Sequence, residues 1–226
     1  MSSCATALAD GRSLLCALKA GAGHSGPQAG LLVGRPPKAF LRVVATQPGR
    51  IRNDDVQCLT EWRNRFVTAF LTEFNATNGQ TERWLSDTIG PADSKILFML
   101  DDPEGRTFGY MGLAFIDWDK GYGEADAIVR GGLAEPGVMS DALRVLLSWA
   151  RLGLGLAQLG VRVRSDNPAL AFYVKLGFDE QSRVPLRRSE TPGKTVWVED
   201  PSLHVGLGSP SLVHLLWPAQ PDTLPR

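Results

Sequence analysis

The chain has 226 residues, 43% hydrophobic and 21% charged, with 24 Lys+Arg balanced by 24 Asp+Glu. This excludes a disordered or fibrous protein and fits one core-bearing domain with terminal extensions. Zero net charge supplies no bulk field toward nucleic acid or an anionic membrane, so neither is expected as a partner, and the apolar runs fall far short of the ~18–20 residues that span a bilayer.

The reading is of a soluble, cytoplasmic protein. Cys4, Cys16 and Cys58 are odd in number and widely spaced, with no CxxC or neighbouring histidine, so neither a disulfide framework nor a metal site is expected. His24, His204 and His214 lie in poorly patterned terminal regions, which argues against Ser-His-Asp or Cys-His hydrolysis.

Residues 1–38 are rich in Ala, Gly, Ser and Leu and end in Gly34-Arg35-Pro36-Pro37, so they read as an appendage. Asp10 and Arg12 break the apolar run and no basic start precedes it. A secretory signal is therefore not expected, and an organellar transit peptide is the alternative. The domain is expected over 39–200, opening with a strand at Phe40–Val44. Val56, Leu59, Trp62, Phe66 and Phe70 then recur at helical spacing after Asp54-Asp55. Turn residues fill 75–80, Thr81 is expected to cap a second short helix through Trp84, Leu85 and Ile89, and Gly90-Pro91 ends it.

Ile96–Leu100 and Phe108–Ile116 flank Asp101-Asp102-Pro103-Glu104-Gly105-Arg106, a strong hairpin signal. Tyr122 to Arg130 reads as a further strand, Val138 to Ala150 as an amphipathic helix, and Leu159 to Val163 as a strand. Pro168 to Leu176 is a short helix, capped by Asp166 or Asn167 and ended by Gly177. Strand-like pieces run to Val196-Trp197-Val198, and 201–226 reads as a Pro-punctuated tail. The order is β-α-α-β-β-β-α-β-α-β in a mixed α/β sheet.

Two patterns carry chemistry. Period-two geometry on the strand Tyr122–Arg130 puts Glu124, Asp126, Ile128 and Arg130 on one face, where two carboxylates can raise one another's pKa and suit one to accept a proton. An Asp126–Arg130 contact with Glu124 in solvent is the structural alternative. The second pattern is Asn167-Pro168-Ala169-Leu170-Ala171-Phe172-Tyr173-Val174-Lys175-Leu176-Gly177-Phe178, which taken alone is a well-specified short helix with Phe172, Leu176 and Phe178 in the core and Tyr173 partly buried.

The stretch Asn167–Phe178 and the order of elements from about 40 to 200 resemble the GNAT superfamily of acetyltransferases. The resemblance implies an acetyl-CoA-dependent N-acetyltransferase whose sheet splays into a V between its fourth and fifth strands. It implies Asn167 beside the pantetheine arm, Tyr173 as the acid that protonates the departing thiolate, Glu124 as the base with Asp126 second, and the Val129 amide as donor to the thioester oxygen. Pyrophosphate is expected on backbone amides of the turn Arg130-Gly131-Gly132 through Gly137-Val138-Met139-Ser140, with Arg130 the nearest cation. The superfamily loop maps onto Ala134–Met139, where this chain keeps its first glycine, Gly137, but lacks the basic residue and carries Met139 for a small one. Thr60-Glu61-Trp62-Arg63-Asn64 and Thr81-x-x-Trp84 resemble the opening of enzymes that acetylate amino sugars on nucleotide carriers. That narrower resemblance implies Trp62, Arg63, Asn64 and Trp84 on the acceptor wall. A small-molecule amine acceptor follows, with a homodimer common in the superfamily. A peptide α-amine acetyltransferase and a non-catalytic CoA-binding module are the alternatives.

Overall fold

A computed structural model describes residues 2–24, 30–204 and 209–218. Among the described residues, seventeen segments of regular structure follow one another. Helix α1 (Ser2–Gly21) and strand β1 (Gly30–Val33) precede the expected first strand, β2 (Ala39–Val43). Then come α2 (Asn53–Arg65), a single 3₁₀ turn (Val67–Ala69), β3 (Thr72–Glu73) and α3 (Asn78–Trp84), which runs into a π turn (Leu85–Ile89). Strands β4 (Ile96–Asp101), β5 (Thr107–Asp117) and β6 (Tyr122–Arg130) lead to α4 (Val138–Leu152), β7 (Gln158–Arg164) and α5 (Ala169–Lys175). The chain closes with β8 (Asp179–Thr191), β9 (Lys194–Glu199) and β10 (Ser211–Trp217).

The strands form one sheet in the order β1-β2-β4-β5-β6-β7-β10-β8-β9-β3. All pairs are antiparallel except β6 with β7. A helical core covers each face. On one, Leu143, Leu146 and Leu147 of α4 pack with Leu15 of α1 and Tyr173 of α5; on the other, Val56, Leu59 and Trp62 of α2 pack with Leu85, Met99 and Tyr110. Arg42 fastens the second face to the sheet. Its guanidinium donates to both Asp55 oxygens at 2.9 Å and, through Nε, to Asp101 at 2.7 Å. Burial works against that charge, but the two carboxylates hold it well above the ordinary arginine range.

The turn between β4 and β5 forms as its residues dictate. Asp102 Oδ1 accepts from the Glu104 and Arg106 amides at 3.1 and 2.8 Å, and Gly105 takes φ 82°. Helix α3 starts earlier than expected: Thr77, not Thr81, caps it, in a reciprocal box with Gln80. Thr81 instead meets Thr60 hydroxyl to hydroxyl at 2.7 Å, tying α3 to α2.

Both ends of the chain depart from expectation. The segment 1–38, expected as an appendage, places Leu8, Leu15 and Ala22 in the main core and extends the sheet through β1; Met1 and 25–29 lie outside the described residues. Within the expected tail 201–226, Ser211–Trp217 is an interior strand that pairs with β7 on one side and β8 on the other. Residues 205–208 and 219–226 lie outside the described residues. In both cases a short apolar segment gains its structure from long-range partners, which local patterning does not reveal.

Gly11 tests the integration of α1, because a Cβ there would sit 2.1 Å from the Leu154 carbonyl oxygen. Gly11→Ala is expected to destabilise the protein by about 1–3 kcal/mol through overpacking, measured by denaturant unfolding. A neutral result would mean that α1 does not pack on the domain.

Candidate active site

The site begins where two strands separate. β6 and β7 pair only through Tyr122↔Gln158, Gly123↔Leu159 and Glu124↔Gly160. Beyond that point Ala125–Arg130 and Val161–Arg164 line opposite walls of a cleft of about 500 Å³. The V-shaped opening expected between the fourth and fifth strands of the core order is this one.

Two bulges shape the walls. Gly112 faces Asp126 and Tyr110 faces Val129, so β6 carries one extra residue, with Ala127 at φ 53°. On β5 the count reverses: Ala114 faces Glu124 and Asp117 faces Tyr122, with Phe115 at φ 52°. The β6 bulge breaks the alternation assumed from the sequence. Ile128 packs on the same core as Ala125, while Ala127 and Val129 join the opposite one. Glu124 and Asp126 therefore share a face with each other but not with Ile128 and Arg130. Val129 stands in register with Tyr110, whereas Ala127 and Ile128 have no partner on β5. The bulge thus leaves the backbone of Ala127 and Ile128, at the wall of the cleft, without a partner residue on β5.

The two carboxylates occupy different environments. Glu124, expected as the leading base, is buried and already committed: Tyr122 Oη donates to it at 2.8 Å and Arg162 Nε at 2.7 Å. Asp126 is open to the water of the cleft but walled by protein, and among the described residues no cation bonds it. Lost solvation, with a smaller contribution from the Glu124 charge, raises its carboxyl above the usual range. Of the pair, Asp126 is the one whose oxygens are free to take a proton.

Tyr173 lies across the cleft on α5, packed edge-to-face between Phe172 and Phe178. Its ring is buried, and among the described residues its hydroxyl has no hydrogen-bond partner. Burial, then the Asp126 charge, raises the phenol above its ordinary range, so it stays protonated near neutrality. Asn167 starts the same helix, accepting from the Ala169 amide at 2.9 Å and donating to the Ala69 carbonyl at 3.2 Å.

The turn before α4 only partly offers the expected amide cradle. The Gly131 and Gly132 amides both donate to the Phe108 carbonyl, at 2.9 and 2.8 Å, so they are not free for phosphate. Gly131 is glycine for a packing reason: a Cβ would lie 1.9 Å from the Trp62 indole. Gly137, at φ 85°, turns the chain into α4, and the first-turn amides of Met139 and Ser140 make no backbone bond among the described residues. The Val138 and Met139 side chains pack toward the core, so only their backbone faces this site, and Arg130 is exposed at its edge.

The proposed acceptor-wall residues do other work. Trp62 is buried in the second core, stacked on Tyr110 with centroids 6.2 Å apart, and does not reach the cleft; Trp84 lies outside the cleft, at the end of α3. Arg63 lines the cleft but is spent on its own loop, with Phe74 and Phe70 at 4.2 and 4.6 Å and the Thr72 carbonyl at 2.7 Å. Asn64 binds the Ala76 amide and carbonyl at 2.7 and 2.9 Å. Together they shape the segment 66–77, whose middle roofs the cleft. That roof is secured at the far edge of the sheet by β3 on β9, by Trp197 N donating to Leu71 O at 2.7 Å, and by a Glu73–Arg164 pair at 2.9 Å.

Phe115 and Arg162 also line the cleft, and the sequence reading missed both. The available signal was alternation: Arg162 and Arg164 repeat at period two on a strand whose neighbour carries Glu124 and Asp126. Among the described residues, no helix is long and apolar enough to cross a membrane, and no group of three His, Cys, Asp or Glu side chains is placed to hold a metal ion.

The acetyltransferase (GNAT) domain family matches residues 50–179, more than half of the chain. Similar solved structures include a probable acetyltransferase (GNAT family) of Chromobacterium violaceum, with a TM-score of 0.62 at 14% identity, covering 87% of this chain and 89% of that one. A GCN5-related N-acetyltransferase of Brucella melitensis aligns with a TM-score of 0.59 at 19% identity, over 84% and 79% of the two chains. The spermidine/spermine N-acetyltransferase SpeG of Vibrio cholerae aligns with a TM-score of 0.56 at 14% identity, over 80% and 92%. At such identities the likeness is one of fold. No curated protein matches the sequence.

Asn64→Ala is expected to speed amide hydrogen exchange across 66–77 by roughly tenfold or more, since two hydrogen bonds of about 1 kcal/mol each are lost. Unchanged exchange there would show that Asn64 does not hold the roof.

Proposed function

We propose, from the premise that this chain belongs to the GNAT family of acetyltransferases, that it transfers an acetyl group from acetyl-CoA to the primary amine of a small polar acceptor. An amino sugar, free or nucleotide-linked, is the acceptor class we favour. The observation that carries the reading is the pairing, across one cleft, of an unpartnered phenol on Tyr173 with an uncommitted, raised carboxyl on Asp126. A phenol that stays protonated and a carboxyl made more basic by burial, facing one cleft, can supply an acid and a base.

The residues present suit the coenzyme. The parted edges of β6 and β7 leave backbone groups that an extended, amide-bearing arm can bond, and the α4 amides of Met139 and Ser140, with Arg130 nearby, suit its phosphates. When bound, acetyl-CoA supplies an activated thioester. Asp126 then takes the proton that the acceptor nitrogen must lose before its lone pair can form the new C–N bond. The Ile128 amide hydrogen-bonds the carbonyl oxygen as charge gathers there. Tyr173 donates its proton to the sulfur as the C–S bond breaks, and recovers one from solvent. Glu124 is a positioning residue in this scheme, holding Arg162 and biasing Asp126 by its charge.

The roof also bears on the acceptor. Phe70, Leu71 and Thr72 close the chamber from above, which favours a compact amine over a peptide chain.

Tyr173→Phe is expected to lower kcat by roughly 10²–10⁴-fold while CoA affinity changes little, as checked by thiol release and calorimetry; an unaltered kcat removes the acid assignment. For Asp126→Asn, the acidic limb of the kcat/KM profile should disappear along with most of the rate. That limb lies above the usual carboxylate range in the parent, because activity requires the ionised form and is lost as pH falls through a raised pKa. The same shift fixes the sign of a stability effect. A carboxyl raised on folding costs stability once pH climbs past its unfolded value, so Asp126→Asn should melt no lower than the parent near pH 8. A lower melting temperature would mean that the carboxylate is structural.

A further inference from the structure

We infer that Arg162 and Phe115 form an oxyanion-binding subsite beside Asp126, so that the preferred acceptor is an amine carrying a carboxylate or phosphate rather than a neutral or polycationic one. The inference rests on the acetyltransferase reading above and specifies its acceptor.

Arg162 spends only its Nε, on Glu124 Oε2 at 2.7 Å; among the described residues its two terminal nitrogens have no acceptor. The side chain is 22% exposed, and it lines the cleft. Arg162 alternates with Val161 and Val163, which belong to the α4-side core, so it projects on the opposite face of the sheet, the one that carries Glu124 and Asp126. A guanidinium anchored through Nε presents its remaining N–H groups in a planar fork that matches a carboxylate or phosphate. Its anchor is itself held by Tyr122 at 2.8 Å, so the fork is oriented before any ligand arrives.

Phe115 supplies the second half. An aromatic residue at positive φ is an outlier, and here the ring is 51% exposed, so burial does not offset the strain. The bulge instead holds the ring in the cleft, with the Arg162 guanidinium 4.0 Å from its centroid. Such an arrangement pairs an apolar surface for a carbon skeleton with a cationic edge for its oxyanion. Lys95, whose Nζ is 5.9 Å from the same ring, adds positive charge, whereas Arg164, at the next same-face position of β7, is paired with Glu73 and Asp166 at 2.9 and 2.7 Å. The unpaired face of Arg162, with Lys95 nearby, opposes a polyamine and favours an acceptor that brings an oxyanion of its own.

The test uses the full chain with acetyl-CoA and two matched acceptor pairs: glucosamine 6-phosphate against glucosamine for phosphate, and serine against ethanolamine for carboxylate. In at least one pair kcat/KM should be about tenfold or more higher for the anionic member, and the responding pair identifies the oxyanion. Arg162→Lys keeps the charge beside Glu124 but loses the fork, and should reduce that preference to roughly threefold or less. Phe115→Gly relieves the backbone and should melt at or above the parent temperature while raising the KM of the preferred acceptor about fivefold or more, with kcat less affected. Equal use of both members of both pairs, a preference for spermidine, a preference that survives Arg162→Lys, or an unchanged KM in Phe115→Gly would each overturn the subsite. Calorimetry of the same amines on CoA-loaded protein separates the two readings. Oxyanion-dependent heat that Arg162→Lys abolishes, without thiol release from any amine, would retain the subsite and reject the acetyltransferase; no such heat would reject the subsite whatever the turnover.

Discussion

The separation of β6 from β7 after three residue pairs is the constraint on which the rest depends. Strands that part inside a sheet leave backbone donors and acceptors without partners, and those groups must be met by solvent or ligand. One feature limits the exposed backbone in this fold: β10 inserts beside β7 and pairs with its other edge from Leu159 to Arg164. The bulge at Ala127 acts the other way, leaving Ala127 and Ile128 without partners on β5 before the ladder resumes at Val129. The cleft is thus a gap in an otherwise paired sheet, roofed by residues of the segment 66–77.

That gap joins the two faces of the sheet. On the α4 side are the Gly137 turn, Asn167 and Tyr173; on the α2 side are Asp126, Arg162 and Phe115 beneath the roof segment. In the proposed scheme donor and acceptor approach from opposite faces and meet at the gap beside Ile128 and Tyr173. The carboxylate pair on β6 shows how little sequence distance separates different environments. Glu124 and Asp126 are two residues apart on one face, but Arg162 and Tyr122 occupy the first, while the second keeps its oxygens free and loses part of its hydration to the walls. Environment, not residue type, distinguishes them.

Much of the fold was legible because it is encoded locally. The hairpin at Asp101–Arg106, the stripe of α4 and the capped helix ending at Gly177 each carry turn chemistry or periodicity within a dozen residues. What was not legible depends on distant partners. α1 has Gly11 against the Leu154 backbone, and β10 gains its place from β7 and β8. The Trp62-Arg63-Asn64 motif was visible, but its contacts were not: a tryptophan at helix-core spacing packs on Tyr110, Asn64 binds the Ala76 backbone, and Arg63 both lines the cleft and holds the following loop.

By itself the sequence determined the order of elements, the helix carrying Tyr173 and the strand carrying two carboxylates, because periodicity and capping act over a few residues. Only the tertiary structure decided which carboxylate stays free, which amides remain available and where Arg162 points. Those outcomes depend on a bulge that reverses alternation and on parallel strands whose pairing ends at Glu124 and Gly160. Both are properties of neighbours far apart in the chain, and pattern along a single strand does not contain them.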